Sequence, residues 1–404
     1  MNKNTIIVEG TDSRLSPPIN LDQMRILQFF LLAFVFLSCT EYKNNDNKIS
    51  KQLKLVNFIK IEIPYEFGFV SKSQSDGYLL AYSYVDALFY ILNTEGHVLS
   101  NFKGRGEGPK EYSGILPFAG IHDKKVFFLD HQNLYLFSIS GDFQSVTPYN
   151  DPLVSSFGGI PNSELFFLND SSFIIPNVHI GDLAKRSDKI AILDTIPVWI
   201  RYNFSSKSQY FERAEVGLFD KNSPFFEGIT FNNYRSHFIL NEGSIIQIPI
   251  IGQDLFKYDL KLSNQIEKIK LNIPNFKFQS GLEEDRVTLD NYKLFNRMAE
   301  ESSFISFVVN LNEKNLFLLY SVYETKNQNG DSISSKNSFK NQFFGFYFDL
   351  VTGQGTQIPL PHNGSDSFYK RVIYLGESKF LFVLENEIER DFHIGEIYKL
   401  VDIY

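Results

Sequence analysis

Four stretches of this chain, with two weaker copies from Val198 and Ile394, repeat one design: an apolar, aromatic-rich run, a short polar turn and a second alternating run. They are "LFYILNTEGHVLSNF" from Leu88, "LYLFSISGDFQSVTPY" from Leu134, "VWIRYNFSSKSQYFERAEV" from Val198, "LFKYDLKLSNQIEKIKLNIP" from Leu255, "FGFYFDLVTGQGTQIPLP" from Phe344 and "IGEIYKLVDIY" from Ile394. Apolar alternation broken by Gly, Asn or Ser reads as a β-hairpin. A hairpin recurring every 45 to 50 residues or so, stretched by insertions, is the signature of a propeller with four strands per blade. Between the hairpins lie "KKVFFLD", "SELFFLND", "GSIIQIPII", "KNLFLLYS" and "SKFLFVLE". Each is expected to supply an inner strand that precedes its hairpin. The fold class is therefore all-β, a six-bladed propeller.

The two ends of the repeating region suggest how the ring closes. "EIYKLVDIY" lacks a following partner strand, and "LVNFIKIEIP", from Leu55, lacks a preceding one. Pairing the first with the last removes two open sheet edges, which would otherwise invite aggregation. "IKIEIP" also matches "IKLNIP" and "TQIPLP" elsewhere as an outer strand. The propeller is thus expected to span 55–404, closed by its N-terminal strand. One short helical insertion is expected in "DRVTLDNYKLFNRMAEES", where Leu289, Tyr292, Phe295 and Met298 recur every three residues. "YETKNQNGDSISSKNSFK" reads as a polar loop.

Composition narrows the function classes. The chain has 404 residues, 41 Phe and 21 Tyr, which favours strands, and 43% hydrophobic residues, which excludes disorder. Its net charge of -8, with no basic block, argues against a nucleic-acid partner. A single cysteine, Cys39, forbids an intrachain disulfide and a cysteine zinc site.

That cysteine stands in an informative place. Met24 and Arg25 precede the apolar run "ILQFFLLAFVFLS", and Cys39 follows it. A charge, a dozen or so apolar residues and a small residue make the layout of a secretory signal. The run is shorter than the 20 residues or so a membrane span needs. "FLSC" resembles the lipobox of bacterial lipoprotein signals, in which the cysteine is lipidated and becomes the N-terminus; Phe36 stands where Leu is usual. Residues 1–23 are read as a leader upstream of the true start at Met24, 24–38 as the signal, and 39–54 as a flexible tether. The resemblance implies a cell-envelope location with membrane attachment through Cys39.

The glycine-rich "NFKGRGEGPKEYSG", from Asn101, raises the question of a phosphate loop. A Walker loop needs Lys after its last glycine, and a dinucleotide fingerprint needs a third glycine followed by a helix. Pro109 occupies the first place after Gly108, and no helical period follows. The stretch instead resembles the "FG-x-x-G-x-GPGEF" segment of NHL-type repeats, with Lys110 in place of a glycine. "IHDKKVFFLDHQNLYLFSISGDF" continues the likeness: Asp130 and Asn133 match the repeat's Asp and Asn, and Gly141 its closing Gly. The match covers about residues 88 to 143, and with the signal it resembles the six-bladed propeller lipoproteins of Bacteroidetes. Gly104, Gly106, Gly108 and Pro109 are then a blade junction, with Arg105 and Glu107 exposed there as candidates for binding.

Catalytic chemistry is not legible. G-x-S-x-G and H-E-x-x-H are absent, and the seven histidines have no ligand spacing. His122-Asp123 and Asp130-His131 are read as loop pairs, Glu283-Glu284 and Glu300-Glu301 as solvated ends of the expected helix, and Phe225-Phe226 as core. Trp199 is the only tryptophan. No metal site or cofactor is expected, and catalytic residues are unassigned. The expected function is a binding or scaffold module for an envelope protein or glycan. The rival is an enzyme of lactonase, glycosidase or lyase type, its residues converging on the central channel from several blades.

Overall fold

The computed structural model describes residues 50–403, except 74–75, 84, 104–107, 109–117, 131, 150–162, 177–196, 219–235, 242, 261–264, 279–301, 324–340, 365–370 and 385–390. The expected helix and the Phe225-Phe226 pair fall outside the described residues, as does everything before Ser50.

Six sheets are present. The first blade is β2 (Phe67–Lys72), β3 (Leu79–Ser83), β4 (Leu88–Leu92) and β5 (Val98–Phe102). The second is β6 (Phe118–His122), β7 (Lys125–Leu129), β8 (Asn133–Ser138) and β9 (Phe143–Pro148), joined by a short β10 (Ser163–Glu164). The third is β11 (Phe166–Asn169), β12 (Ser172–Pro176), β13 (Pro197–Ser205) and β14 (Tyr210–Leu218). The fourth is β15 (Ser236–Asn241), β16 (Ser244–Pro249), β17 (Asp254–Asp259) and β18 (Gln265–Lys270). The fifth is β19 (Ile305–Asn312), β20 (Asn315–Tyr323), β21 (Asn341–Asp349) and β22 (Gln354–Pro359). The sixth is β23 (Val372–Gly376), β24 (Lys379–Val383) and β25 (His393–Ile403), completed by β1 (Ser50–Ile61) from the start of the chain.

The burial pattern explains why the blades stand in a ring. Second strands are buried almost continuously, β16 at every position and β12 likewise. A strand with both faces covered has no solvent side, so its alternate side chains must enter two different cores. They do. In β20, Leu316, Leu318 and Tyr320 join the core shared with the fourth blade, and Phe317 and Leu319 the core shared with the sixth. In β24, Phe380 and Phe382 face the fifth blade, while Leu381 and Val383 pack with Leu79 and Ala81 of the first. Six cores lie between six blades, and that is possible only if the last blade touches the first. Outer strands such as β9 alternate half-buried and exposed, as an outermost position requires.

β1 pairs antiparallel with β25 from Ser50↔Ile403 to Ile61↔His393, so the N-terminal strand closes the ring as expected. One boundary differs. Residues 50–54, expected as tether, are strand, because Lys399 to Ile403 supply them with a ladder partner and Lys51 pairs with Asp402. "SELFFLND" forms β10 and the innermost strand of its blade, as an inner strand was expected, and "SSFIIP" inserts the second strand before the hairpin. β10 runs parallel to β6 on the edge away from β7, with Leu165 N–H donating to the Ala119 carbonyl at 3.1 Å.

The up-and-down order of each blade separates its connections. First-to-second and third-to-fourth turns emerge at one end and are short. Asp123-Lys124 and Glu377-Ser378 hold φ values of 46° and 58°, and 51° and 59°, as tight two-residue hairpins require. Second-to-third connections and those between blades emerge at the opposite end. The described strands that bound the longest connections in sequence, 103–117, 149–162, 177–196, 219–235, 271–304, 324–340, 360–371 and 384–392, end and begin there. The two ends are called here the tight-turn end and the rim.

Candidate functional site at the rim

Several polar groups among the described residues lie at the rim, and two of them bear most directly on the expected site. The first is the turn between β7 and β8. Asp130 is 1% exposed. Its Oδ1 accepts the backbone N–H of Gln132 at 2.8 Å and of Asn133 at 2.7 Å, and its Oδ2 accepts the Tyr135 hydroxyl at 2.9 Å. The Asp130 N–H donates to the Asn133 carbonyl, and the Tyr149 hydroxyl donates to the Asp130 carbonyl. Burial, followed by Asp130, pushes the Tyr135 phenol up to about 12. A carboxylate bound in this way shapes its turn and is poorly placed to shuttle protons. Asp130→Ala should leave two N–H groups and a tyrosine hydroxyl without their acceptor, costing about 2 to 4 kcal/mol, measurable by urea unfolding.

The same device stands in the first blade, where the sequence reading missed it. Asp86 Oδ1 accepts the Leu88 N–H at 3.1 Å and its Oδ2 the Tyr90 hydroxyl at 2.7 Å. An aspartate four or five residues before a third-strand tyrosine was the available signal. Gly141 serves the other end of the second blade. It turns β8 into β9 at φ +87°, and a Cβ there would stand 3.1 Å from the Phe102 ring. His122 and Asp123 also lie at that tight-turn end, with His122 stacked on Phe167 at 5.5 Å, and so are remote from Asp130. Of the glycine-rich junction, only Gly108 is described, half-buried in a bend. Gly104, Arg105, Gly106, Glu107 and Pro109 lie outside the described residues, as does His131.

The second group joins the last blade to the first. Arg371 directly precedes β23, Glu66 directly precedes β2, and His393 opens β25. β2 and β23 are the innermost strands of their blades, so Arg371 and Glu66 stand at the rim nearest the axis. Arg371 Nη2 lies 2.9 Å from Glu66 Oε1, and Nη1 donates to His393 Nδ1 at 3.4 Å. The His393 Nε2–H then donates to the Tyr65 carbonyl at 3.0 Å. The guanidinium lies over the Phe67 ring at 5.6 Å, and His393 meets that ring edge-on at 5.1 Å. Arg371 is 10% exposed at its side chain while Glu66 is 70% exposed, so a sequestered cation is neutralised by a carboxylate that reaches in from solvent. A planar guanidinium held by an aromatic face suits carboxylate and other oxyanions. Among the described residues, no three His, Cys, Asp or Glu side chains gather as a metal site would require.

Burial lowers the His393 pKa below the ordinary imidazole value; the Tyr65 carbonyl opposes this, Arg371 adds to it, and Glu66 opposes it. A base whose pKa is lower in the folded chain holds fewer protons there than when unfolded. Stability is therefore full above the unfolded value of about 6.5 and falls as pH drops through it, levelling off below the folded value. His393→Gln should flatten that part of the melting-temperature profile. Parallel wild-type and variant profiles would show that His393 does not contribute.

No family profile and no curated protein matches the sequence. Among solved structures, the chain is similar to a member of the DUF4221 family from Bacteroides vulgatus, at 9% identity and a TM-score of 0.64, covering 88% of this chain and all of that one. A protein described as exported, from Bacteroides fragilis, aligns at 12% identity and a TM-score of 0.49 over 88% of this chain and 96% of that one. The first likeness supports the fold.

Proposed function

We propose that this chain is a lipid-anchored propeller of the cell envelope that holds a protein or glycan partner against its rim. The observation that carries the reading is the sorting of connections: every long one leaves from the rim, and the opposite end is closed by tight turns. Surface segments that vary in length on a rigid scaffold are where binding is built. The Arg371–Glu66–His393 group gives that rim an exposed carboxylate, held by a sequestered guanidinium and suited to a cationic feature of the partner. The apolar run before Cys39 supports export and anchoring.

Affinity capture from native envelopes tests the reading. Glu66→Arg reverses the exposed charge at the rim, and Lys314→Glu does the same at the tight-turn end. The captured set should be lost with Glu66→Arg and kept with Lys314→Glu. Retention of the same set by both variants would contradict a partner held at this rim.

A further inference from the structure

The tight-turn end of the last blade carries an unusual alignment. Lys54 of β1 stands opposite Lys399 of β25, and Lys399 stands opposite Lys379 of β24. Like charges directly opposite one another destabilise a sheet. Three consecutive strands, each about 4.8 Å from the next, thus present one lysine apiece in a line. Lys72 of β2 extends the line inward across the blade boundary. Its Nζ reaches to within 3.4 Å of where a Cβ on Gly376 would stand, and it lies over the Tyr374 ring at 5.6 Å. Burial lowers its pKa, so its charge too would gain from an anion.

Among the described residues, the acid paired with this row is Glu377, 2.9 Å from Lys379 and 80% exposed. Its carboxyl is held below the usual range by Lys379 first and Lys399 last. One carboxylate facing several ammonium groups leaves a local positive excess in a chain whose net charge is -8.

We propose that this row is a docking surface for an anionic lipid bilayer, and that it turns the rim away from the membrane. The proposal rests on the envelope reading above. What selects a bilayer is the path of the chain. β1 is a fourth strand, so it enters its blade at the tight-turn end and leaves at the rim. Ser50, where it enters, pairs with Ile403 near the lysine row. Even a fully extended chain holds Ser50 within about 40 Å of a lipid on Cys39. An anchor on that side brings phosphate headgroups to the tight-turn end first, where exposed lysines contribute fivefold or so each to binding an anionic surface.

Vesicle flotation tests the surface without the anchor. A chain beginning at residue 40 keeps every described strand and lacks residues 1–39, among them the expected signal and Cys39. It should float with phosphatidylglycerol-containing vesicles, stay behind with pure phosphatidylcholine, and be released by high salt. The variant Lys54→Gln/Lys379→Gln/Lys399→Gln should bind at least about tenfold more weakly with unchanged melting. Equal binding to both lipids, or no effect of the triple variant, would overturn the proposal. So would inorganic phosphate that displaces the vesicles at millimolar concentration and raises the melting temperature, because the row would then be a site for a soluble anion. The anchor is tested separately by the mass of the mature N-terminus. Unmodified Cys39 with intact vesicle binding removes the anchor alone, and lipidated Cys39 without lipid preference removes the docking surface alone.

Discussion

Deletion of Ser50–Ile61 leaves a protein that aggregates or is degraded rather than one that melts a few degrees earlier. The strand supplies the fourth member of the last blade along the whole length of β25. It also inserts Ile61, fully buried, into the core between the last and first blades, beside Ile63, Phe67, Leu79 and Leu381. Burial of one such side chain contributes about 1.5 to 3 kcal/mol, and the entire stability of a domain is about 5 to 15 kcal/mol. Losing the strand removes that contribution and exposes the ladder groups of β25 to other chains. Ile61→Ala is the graded form of the experiment and should cost about 2 to 5 kcal/mol. A deletion variant with unchanged solubility and melting would show that the ring does not depend on its N-terminal strand.

Gly217→Val should be the most damaging single substitution in the third blade. Gly217 pairs with Trp199 across β13 and β14, and a Cβ there would stand 2.0 Å from the indole Nε1. Trp199 is fully buried and packs with Ile245, Ile251, Phe256 and Tyr258, so the ring has nowhere to go. Overpacking of this kind costs about 1 to 3 kcal/mol, and more when the obstructed group cannot turn. The clash is specific, so it can be relieved. In a Trp199→Phe background the penalty for Gly217→Ala should shrink by more than half, as measured by a double-mutant cycle in urea. Additive penalties would place the cost in the backbone of β14 instead of against the indole.

The architecture was legible because it is local. A third strand, a tight turn and a fourth strand form one continuous stretch, so each blade announced itself through alternation and turn residues. Closure was legible because both unpaired runs were apolar enough to need a partner. The true start of β1 was not. Ser50, Lys51, Gln52 and Lys54 are polar, and they become strand only through pairing with Lys399 to Ile403. "SELFFLND" gives an inner strand as expected, but "SSFIIP" stands between it and the hairpin: β11 is mostly half-buried and β12 wholly buried, yet both read as apolar runs.

The candidate site was far less legible. Asp130, Asn133 and Gly141 were singled out by a resemblance to the turn residues of one repeat type; in the structure Asp130 accepts two turn N–H groups and Gly141 turns β8 into β9 at positive φ. Arg371, Glu66 and His393 come from separate segments of the chain, and no spacing connects them. Only the meeting of the last blade with the first brings a buried guanidinium, its exposed counterion and a neutral imidazole together. The lysine row was hidden in the same way, since Lys54, Lys379 and Lys399 align only through strand register.

In the proposed function the propeller is held in the cell envelope through Cys39, with a partner against its rim. Mass spectrometry of the mature N-terminus, on protein purified from the membrane fraction of its native host, tests that claim most directly. The expected result is a chain that begins at Cys39 and carries diacylglycerol on the thiol, each buried methylene of the acyl chains contributing about 0.8 kcal/mol to membrane attachment. A soluble chain with unmodified Cys39 and Met1 still in place would contradict the envelope assignment and the class of partner proposed with it.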